Sequence, residues 1–337
     1  MKIIVWIVFL IPPAFSEFGI NKKCITPHGD IGVCTEITSC PIVRAYHTKL
    51  SNISVRKYFR QSYCGKRYNM TLICCGPVIP NIYDECGVME NSGPKIFGGH
   101  ISDMHFPWMV AIQYKEENER LVFRCQGSLI NQHFILTAAH CLRYRKVHAV
   151  VMGVKNLTNY EEQESFKKSI VINITYHREY STDIDDIGLI QIRPVQYTEN
   201  IRWICLPRKN DASPSWFTIR GWGKNDKKIT EFSAAIQSRI RSASYNECRF
   251  VNRKNIPWSR VICAGGEPNK DSCDGDSGGA LMNMTADGWT AFGIVSFGSR
   301  DCSQGEPGVY TRIQYYLDWL DRTMLEMLQV SERKKNE

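Results

Sequence analysis

The stretch Asp271-Ser-Cys-Asp-Gly-Asp-Ser-Gly-Gly279 decides how this chain is interpreted. It places a candidate nucleophile, Ser277, in a turn flanked by glycines, where the backbone can pass close to a bound substrate. In such a turn the amides of Gly275 and Ser277 can point at a developing oxyanion. Taken alone, the run is also compatible with an ordinary glycine- and serine-rich surface turn, so other segments must decide between the two.

Two further segments supply the partners that a nucleophilic serine needs. Thr137-Ala-Ala-His-Cys141 carries a candidate base, His140, and Asp183-Ile-Asp-Asp-Ile-Gly-Leu-Ile190 carries a candidate carboxylate, Asp186. A serine hydroxyl is a poor nucleophile near neutral pH, so it requires a neutral imidazole and a buried carboxylate that orients that imidazole. These residues, in the order His, Asp, Ser, resemble the chymotrypsin/trypsin family of serine proteases over residues 96–325.

The resemblance implies an all-β fold of two six-stranded antiparallel β-barrels with a C-terminal helix. Short strand patterns such as Trp108–Ile112 and Ala291–Ser296, separated by turns, favour the same class. Near the end, apolar residues recur at three- and four-residue steps from Ile313 to Leu328, which predicts a helix packed on the barrel. We expect the chain to fray from about Glu332, within a charged tail at 326–337.

The resemblance also implies a pocket for basic side chains. Asp271 would form its floor, because a carboxylate in a narrow cleft selects Arg or Lys, and Ser272 beside it can bind a lysine ammonium. The implied walls are Ser296, Phe297, Gly298 and Gly308, with Ser296 also expected beside Asp186. Phe297 departs from the usual Trp, and Asp274 stands where a neutral residue is common. With Asp183, Asp274 suggests a preference for further basic residues in the substrate.

Pro94-Lys95-Ile96-Phe-Gly-Gly99 resembles the activation site of trypsin-like zymogens. Cleavage after Lys95 would free the ammonium of Ile96, which could pair with Asp276 and order the pocket, because an unpaired buried carboxylate is costly. The other interpretation is an ordinary glycine-rich loop. Lys95 indicates an activator that cuts after basic residues, hence an upstream trypsin-like protease, and a serpin-type inhibitor is an expected partner of the active enzyme.

Six cysteines crowd a short segment, residues 24–75, that is too small to bury much core, so disulfides must hold it together. Their spacing alone allows fifteen connectivities and includes no CxxC metal pattern. The order, ending in Cys74-Cys75, resembles the clip domain of arthropod serine proteases. That resemblance implies the pairs Cys24–Cys74, Cys34–Cys64 and Cys40–Cys75.

Eight cysteines remain beyond the clip domain. In the trypsin-like pattern Cys125–Cys141, Cys248–Cys263 and Cys273–Cys302 pair within the protease region, which leaves Cys86 and Cys205 for each other. Cys86 lies in a linker, residues 76–95, rich in Pro and Gly and expected to be extended. A Cys86–Cys205 bridge would keep both pieces joined after a cut between them.

Composition and the first residues indicate a secreted globular protein. The chain has 337 residues, 43% hydrophobic and 23% charged, and its start reads as a signal peptide, residues 1–16. Fourteen cysteines suit an oxidising compartment, and five sequons predict glycosylation at Asn52, Asn69, Asn156, Asn173 and Asn283. The net charge of +8 is interpreted as scattered, partly in Arg333–Lys335, so neither nucleic-acid binding nor a membrane span is expected.

No cofactor is expected. The loop from Gly153 to Glu164 corresponds to the calcium loop of trypsin, and Glu161 and Glu164 could be ligands, yet Val154 and Lys155 replace oxygen ligands. The leading function is a trypsin-like endopeptidase in an arthropod extracellular cascade of immunity, melanisation or coagulation, or in venom. The alternatives are a non-catalytic clip-domain homologue that acts as a binding cofactor, and a disulfide-rich structural protein.

Overall fold

The computed structural model describes residues 21–49, 53–68, 70–77, 85–89, 106–181, 184–223, 235–248, 256–267, 276–298 and 305–336. The chain divides into two compact units, Met1–Pro80 and Asn81–Glu337. Several sequence predictions fall outside the described ranges: the signal peptide 1–16, Asn52, Asn69, Lys95, Ile96, Asp183, Asp271, Ser272, Cys273, Asp274, Gly275 and Cys302.

The first unit, called the clip unit here for its described residues 21–77, is a four-stranded antiparallel sheet with two short helices. Its strands pair in the order β1-β2-β4-β3. The elements are β1 (Lys23–Ile25), β2 (Ile31–Glu36), α1 (Pro41–Tyr46), α2 (Ile53–Gln61), β3 (Tyr63–Arg67) and β4 (Met70–Cys75).

Three disulfides take the place of a large core in the clip unit. They join Cys24 to Cys74, Cys34 to Cys64 and Cys40 to Cys75, which are the pairs that the family resemblance implies. Cys74 and Cys75 are adjacent on β4, where successive side chains point to opposite faces, so each serves a different partner.

The second unit begins with a closed six-stranded barrel. Its strand order is β10-β7-β6-β5-β8-β9, and every pairing is antiparallel. The strands are β5 (Met109–Lys115), β6 (Leu121–Leu129), β7 (Phe134–Thr137), β8 (Val147–Met152), β9 (Lys167–Tyr176) and β10 (Gly188–Ile192). β5, β7 and β10 have no exposed residue, which explains why their sequences are almost continuously apolar.

Six more strands form the second barrel, in the order β12-β11-β14-β15-β16-β13. A bridge between Ser242 and Ala264 brings its two ends together. The strands are β11 (Trp216–Gly221), β12 (Ile236–Arg241), β13 (Val261–Gly265), β14 (Ala280–Thr285), β15 (Gly288–Phe297) and β16 (Pro307–Arg312). Alternating inward residues such as Phe217, Phe292 and Tyr310 fill its interior. The predicted fold class is confirmed.

In the described part of the second unit, the α-helices are α3 (Ala139–Arg143), α4 (Tyr245–Cys248) and α5 (Leu317–Asn336). The predicted apolar stripe of α5 is buried at Leu320, Met324 and Leu328. The expectation that the chain frays from Glu332 is wrong, since α5 continues to Asn336. Among the described residues no helix is long and apolar enough to cross a membrane.

A short segment ahead of the first barrel, residues 85–89, is fastened to the protease unit. Cys86 forms a disulfide with Cys205, the Gly87 amide donates to the Trp203 carbonyl at 2.8 Å, and the Trp289 amide donates to the Gly87 carbonyl at 3.0 Å. Gly87 has a φ of +68°, a conformation that glycine adopts without strain. This anchored segment therefore behaves as part of the protease unit.

Candidate active site

The ends of two neighbouring strands bring the predicted base and carboxylate together. Thr137, three residues before His140, pairs with Gly188, two residues after Asp186, in the β7–β10 ladder. The Nδ1 atom of His140 lies 2.8 Å from Oδ2 of Asp186, and the backbone amide of His140 donates to Oδ1 at 2.8 Å. Both carboxylate oxygens therefore hold the same histidine, which fixes the position of its ring.

The Asp186 carboxylate is buried, yet both of its oxygens accept hydrogen bonds. Its side chain is 2% exposed, and Ser296 donates its hydroxyl to Oδ2 at 2.6 Å. Burial alone raises the pKa of this carboxyl, but the hydrogen bonds from His140 and Ser296 outweigh it and lower the pKa below its usual value. Thr311 on β16 also donates to the Asp186 carbonyl at 2.8 Å. The second barrel thus supports the carboxylate that the first barrel carries.

Ser277 lies in the turn that leads into β14. The carbonyl of Ser277 accepts the Gln126 amide at 2.8 Å, and the next amide, of Gly278, donates to the Val295 carbonyl at 2.9 Å. Gly278 has a φ of +81°, and an added Cβ there would collide with the Gln126 carbonyl. Only glycine therefore lets this turn approach the first barrel so closely.

The turn and the histidine meet at the Cys125–Cys141 disulfide. The Sγ atom of Cys141 lies 3.5 Å from Nε2 of His140 and 3.7 Å from the Ser277 carbonyl oxygen. His140 itself is 28% exposed, so its ring is open to a substrate on one side. Within the described part of the chain, the amide and hydroxyl of Ser277 make no hydrogen bond.

Asp276 sits behind the nucleophile. Its Oδ1 atom accepts the side-chain amide of Gln126 at 2.9 Å and the backbone amide of Gly223 at 2.9 Å. The carboxylate lies so close to Gly221 and Gly223 that a Cβ on either glycine would collide with it. The sequence does not predict Gln126 as a site residue, because nothing near it in the chain marks it as a partner for a residue 150 positions away.

A second buried carboxylate, Asp185, precedes Asp186. Each of its oxygens accepts Nη1 of Arg260 at 3.0 Å, and Oδ1 accepts the Tyr316 hydroxyl at 2.6 Å. Nδ1 of His177, a residue without a partner pattern in the sequence, lies 3.9 Å from Oδ2. Asp185 has a φ of +56°, so these contacts hold the backbone in an unfavourable conformation directly beside Asp186, the carboxylate that orients His140.

The predicted pocket walls lie side by side on the second barrel. Phe297 pairs with Val309 across β15 and β16, and a Cβ on Gly298 would stand 3.6 Å from the Cα of Gly308. The two glycines therefore approach each other closely, with no side chain between the strand ends. Beside them, Phe297 and Trp258 pack against the small core that includes Val309.

The loop that resembles a calcium site is closed by a side chain instead. Gln163 accepts the Lys155 amide at 2.8 Å and donates to the Asn156 carbonyl at 2.6 Å. Glu161 and Glu164 are both exposed. Two hydrogen bonds of the Gln163 side chain thus hold this loop together.

Three of the predicted glycosylation sites lie in described residues, all in the protease unit. Asn173 is exposed on β9, and Asn156 is half-buried in the loop before β9. Asn283 on β14 donates its side-chain amide to the Trp216 carbonyl at 2.6 Å, which engages the nitrogen that would carry a glycan. Asn173 is therefore the most accessible of the three acceptors.

Comparison with known proteins agrees with this architecture. The family model "Trypsin" matches residues 96–320, and the model "Regulatory CLIP domain of proteinases" matches residues 24–75. CLIP domain-containing serine protease B4 of Anopheles gambiae is 32% identical, with 89% of this chain and 91% of that protein covered. Phenoloxidase-activating enzyme 1 of Spodoptera litura is 29% identical, with 94% and 98% covered.

Among solved structures, the Drosophila Grass clip serine protease of the Toll pathway superimposes with a TM-score of 0.60. The match covers 90% of this chain and 97% of that chain. Because the identity is only 24%, the match supports the fold and nothing further. The matched family models, the two barrels and the disulfide-held first unit lead to one conclusion: the chain belongs to the trypsin family of serine proteases, among the members that carry a CLIP domain.

Proposed function

We propose that this protein is the secreted zymogen of a trypsin-like serine endopeptidase that cleaves after Arg or Lys. The observation that carries the proposal is the double hold of Asp186 on His140, through both the ring and the backbone amide. With Nδ1 engaged by Asp186, Nε2 would be the ring atom that acts as the base for a nucleophilic serine.

In the proposed mechanism, Oγ of Ser277 attacks the substrate carbonyl while Nε2 of His140 takes its proton. Asp186 stabilises the imidazolium that forms, and its lowered pKa keeps it ionised throughout. The amides of Gly275 and Ser277 hold the oxyanion. Collapse of this intermediate transfers the proton from His140 to the leaving amine and leaves an acyl-enzyme. Water, deprotonated by His140, then attacks the ester and restores the Ser277 hydroxyl.

Specificity for basic side chains follows from Asp271 at the floor of the pocket, with Ser272 assisting a lysine ammonium. Glycine at positions 298 and 308 supports this assignment, because neither wall residue carries a side chain that would block a long substrate side chain. Phe297 and its apolar neighbours would contact the residues just before the cleaved bond.

Activation would occur by cleavage between Lys95 and Ile96. The new ammonium of Ile96 would then compete with Gln126 and Gly223 for the half-buried Asp276 carboxylate, and the ion pair would order the oxyanion turn. The activator would be another protease that cuts after basic residues, and a serpin-type protein would inhibit the product. The phenoloxidase-activating relatives favour a place in an extracellular immune or melanisation cascade, with venom as the other setting.

The decisive experiment uses the purified zymogen and its Ser277→Ala variant, both cut at Lys95–Ile96. Hydrolysis of Arg-, Lys- and Phe-ending peptide amides is followed before and after the cut. We expect activity on Arg and Lys substrates only after the cut and only with Ser277 present. Equal activity on Phe would refute the basic pocket, and activity that survives in the Ser277→Ala variant would refute the mechanism.

The competing function is a non-catalytic clip-domain homologue that works as a binding cofactor. A fluorophosphonate probe separates the two, because it labels only a serine that a neighbouring base activates. Labelling of the cut protein that is lost in the Ser277→Ala variant supports the enzyme. An unlabelled protein, with the cut confirmed at Ile96, supports the cofactor.

A further inference from the structure

The positive charge of this chain is concentrated in the clip unit. Residues 21–77 hold nine Lys and Arg side chains against two Asp and Glu, a net charge of +7, whereas the whole chain carries +8. The interpretation of a scattered excess is therefore wrong. A small domain with so one-sided a charge generates a strong positive potential around itself.

Nearly all of these cations face solvent. Lys57 is buried, and the two acids, Asp30 and Glu36, are half-buried. The exposed basic residues are distributed over several elements and turns: Lys22, Lys23, Arg44, Lys49, Arg56, Arg60, Lys66 and Arg67.

Two pairs are placed to act together. Arg56 and Arg60 lie four residues apart on α2, a spacing that puts them on the same face of the helix. Lys66 and Arg67 end β3, where the turn to β4 begins, and the Arg67 guanidinium lies 5.8 Å from the ring centre of Tyr68. Tyr68 is 86% exposed, so the end of this hairpin presents an aromatic face beside two cations.

We propose that the clip unit binds an anionic polysaccharide, a sulfated or carboxylated glycan chain. Such a ligand is a flexible chain of negative charges that can contact cations on several elements, and the eight exposed cations are distributed over several elements. A bilayer touches only one side of a small domain. An acidic protein partner is disfavoured because specific protein interfaces are depleted of Lys and of charge at their centre.

Binding of this kind has a characteristic signature. Each cation that contacts the polyanion displaces a condensed counterion, so affinity falls steeply with salt, and removal of a contacting cation lowers the salt slope by about 1. A surface that merely attracts anions through net charge would respond equally to the loss of any exposed lysine on the molecule. The two explanations are therefore separated by comparing the loss of affinity when charges are removed from the clip unit with the loss when they are removed elsewhere.

The test uses the full-length, uncut Ser277→Ala protein, with heparin as the probe and neutral dextran as the control glycan. Two variants remove two charges each from the clip unit: Arg56→Gln/Arg60→Gln and Lys66→Gln/Arg67→Gln. The matched control, Lys167→Gln/Lys168→Gln, removes two exposed charges from β9 of the protease unit. Affinity is measured from 0.05 to 0.3 M salt, a range over which the Debye screening length falls from roughly 14 Å to roughly 6 Å.

We expect heparin binding at 0.15 M salt, no dextran binding, and a loss of about tenfold or more in each clip variant with a salt slope lower by about 2. The β9 control should change affinity by less than about threefold. A control loss as large as the clip losses would overturn the proposal in favour of overall charge. Tighter binding to phosphatidylserine vesicles than to heparin would overturn it in favour of a membrane. Absence of heparin binding at 0.15 M would overturn it outright.

Discussion

Replacement of Asp185 by Asn should destabilise the protease unit well beyond a surface substitution. The Asp185 side chain is 3% exposed and accepts hydrogen bonds from Arg260 and Tyr316. An Asn keeps the volume but removes the charge, and its amide nitrogen can accept from neither donor. Breaking a fully buried pair costs about 3–5 kcal/mol. Because the Arg260 side chain is 28% exposed and regains some hydration, about 2–3 kcal/mol is the better expectation here.

The assay is thermal unfolding of the uncut Ser277→Ala protein, which cannot digest itself. For a unit of this size, 2–3 kcal/mol corresponds to a fall of roughly 4–12 °C in the unfolding midpoint. A cycle of Asp185→Asn, Arg260→Met and the double variant isolates the pair, with an expected coupling of about 1–2 kcal/mol. A fall of less than about 2 °C, or strictly additive effects in the cycle, would show that this contact does not stabilise the loop.

Tyr316→Phe tests the second contact of Asp185, the hydrogen bond from the Tyr316 hydroxyl, independently of Arg260. Burial and the nearby Asp185 carboxylate both raise the pKa of the Tyr316 hydroxyl, so it remains a neutral donor at every pH at which the protein is handled. Loss of that hydroxyl should lower stability by about 1–2 kcal/mol without a change in net charge. A neutral effect would assign the whole stabilisation of Asp185 to Arg260.

Three further outcomes are expected. In the cut enzyme, Asp186→Asn should lower kcat on Arg amides by about 10⁴ with little change in KM, because an amide favours the wrong tautomer of the histidine; a loss below about tenfold would contradict its role. Since the pKa of Asp186 is lowered by folding, its stabilisation is present above the unfolded pKa of about 4 and is lost as pH falls through the folded value. The difference in unfolding midpoint between the parent protein and its Asp186→Asn variant should therefore be largest at about pH 6 and shrink below about pH 4. A difference that grows in acid would show that folding raises the pKa of Asp186. Gly278→Ala should slow fluorophosphonate labelling of Ser277 more than tenfold, about 1.4 kcal/mol or more, because the turn needs a positive φ; normal labelling would show that the turn adapts.

The parts of the site that the sequence predicts are those that lie in short local runs. Ser277 is marked by the residues around it, and His140 and Asp186 each stand beside an apolar strand. The antiparallel ladder between β7 and β10 then brings the latter two together, since ends of neighbouring strands must meet. The two-barrel class follows from the same strand patterns once the family resemblance is recognised.

What the sequence leaves open are contacts between groups far apart in the chain. Asp185 meets Arg260 across 75 residues and Tyr316 across 131, through loops whose approach depends on how the barrels pack. Gln126 reaches Asp276 in the same way. The positive charge of the clip unit is hidden for a different reason: the net charge of the whole chain does not show where the charged residues lie.

Because of the disulfide between Cys86 and Cys205, cleavage at Lys95 would leave the two pieces of the chain to diffuse as one molecule. The cut would create a free chain end without creating a second molecule, since the anchored segment holds its neighbours to the catalytic unit. A clip unit captured on a surface would then confine the active protease to a small volume around that surface. For substrates on the same surface, the effective enzyme concentration would reach the millimolar range that short tethers provide, while substrates in the surrounding fluid would meet almost none.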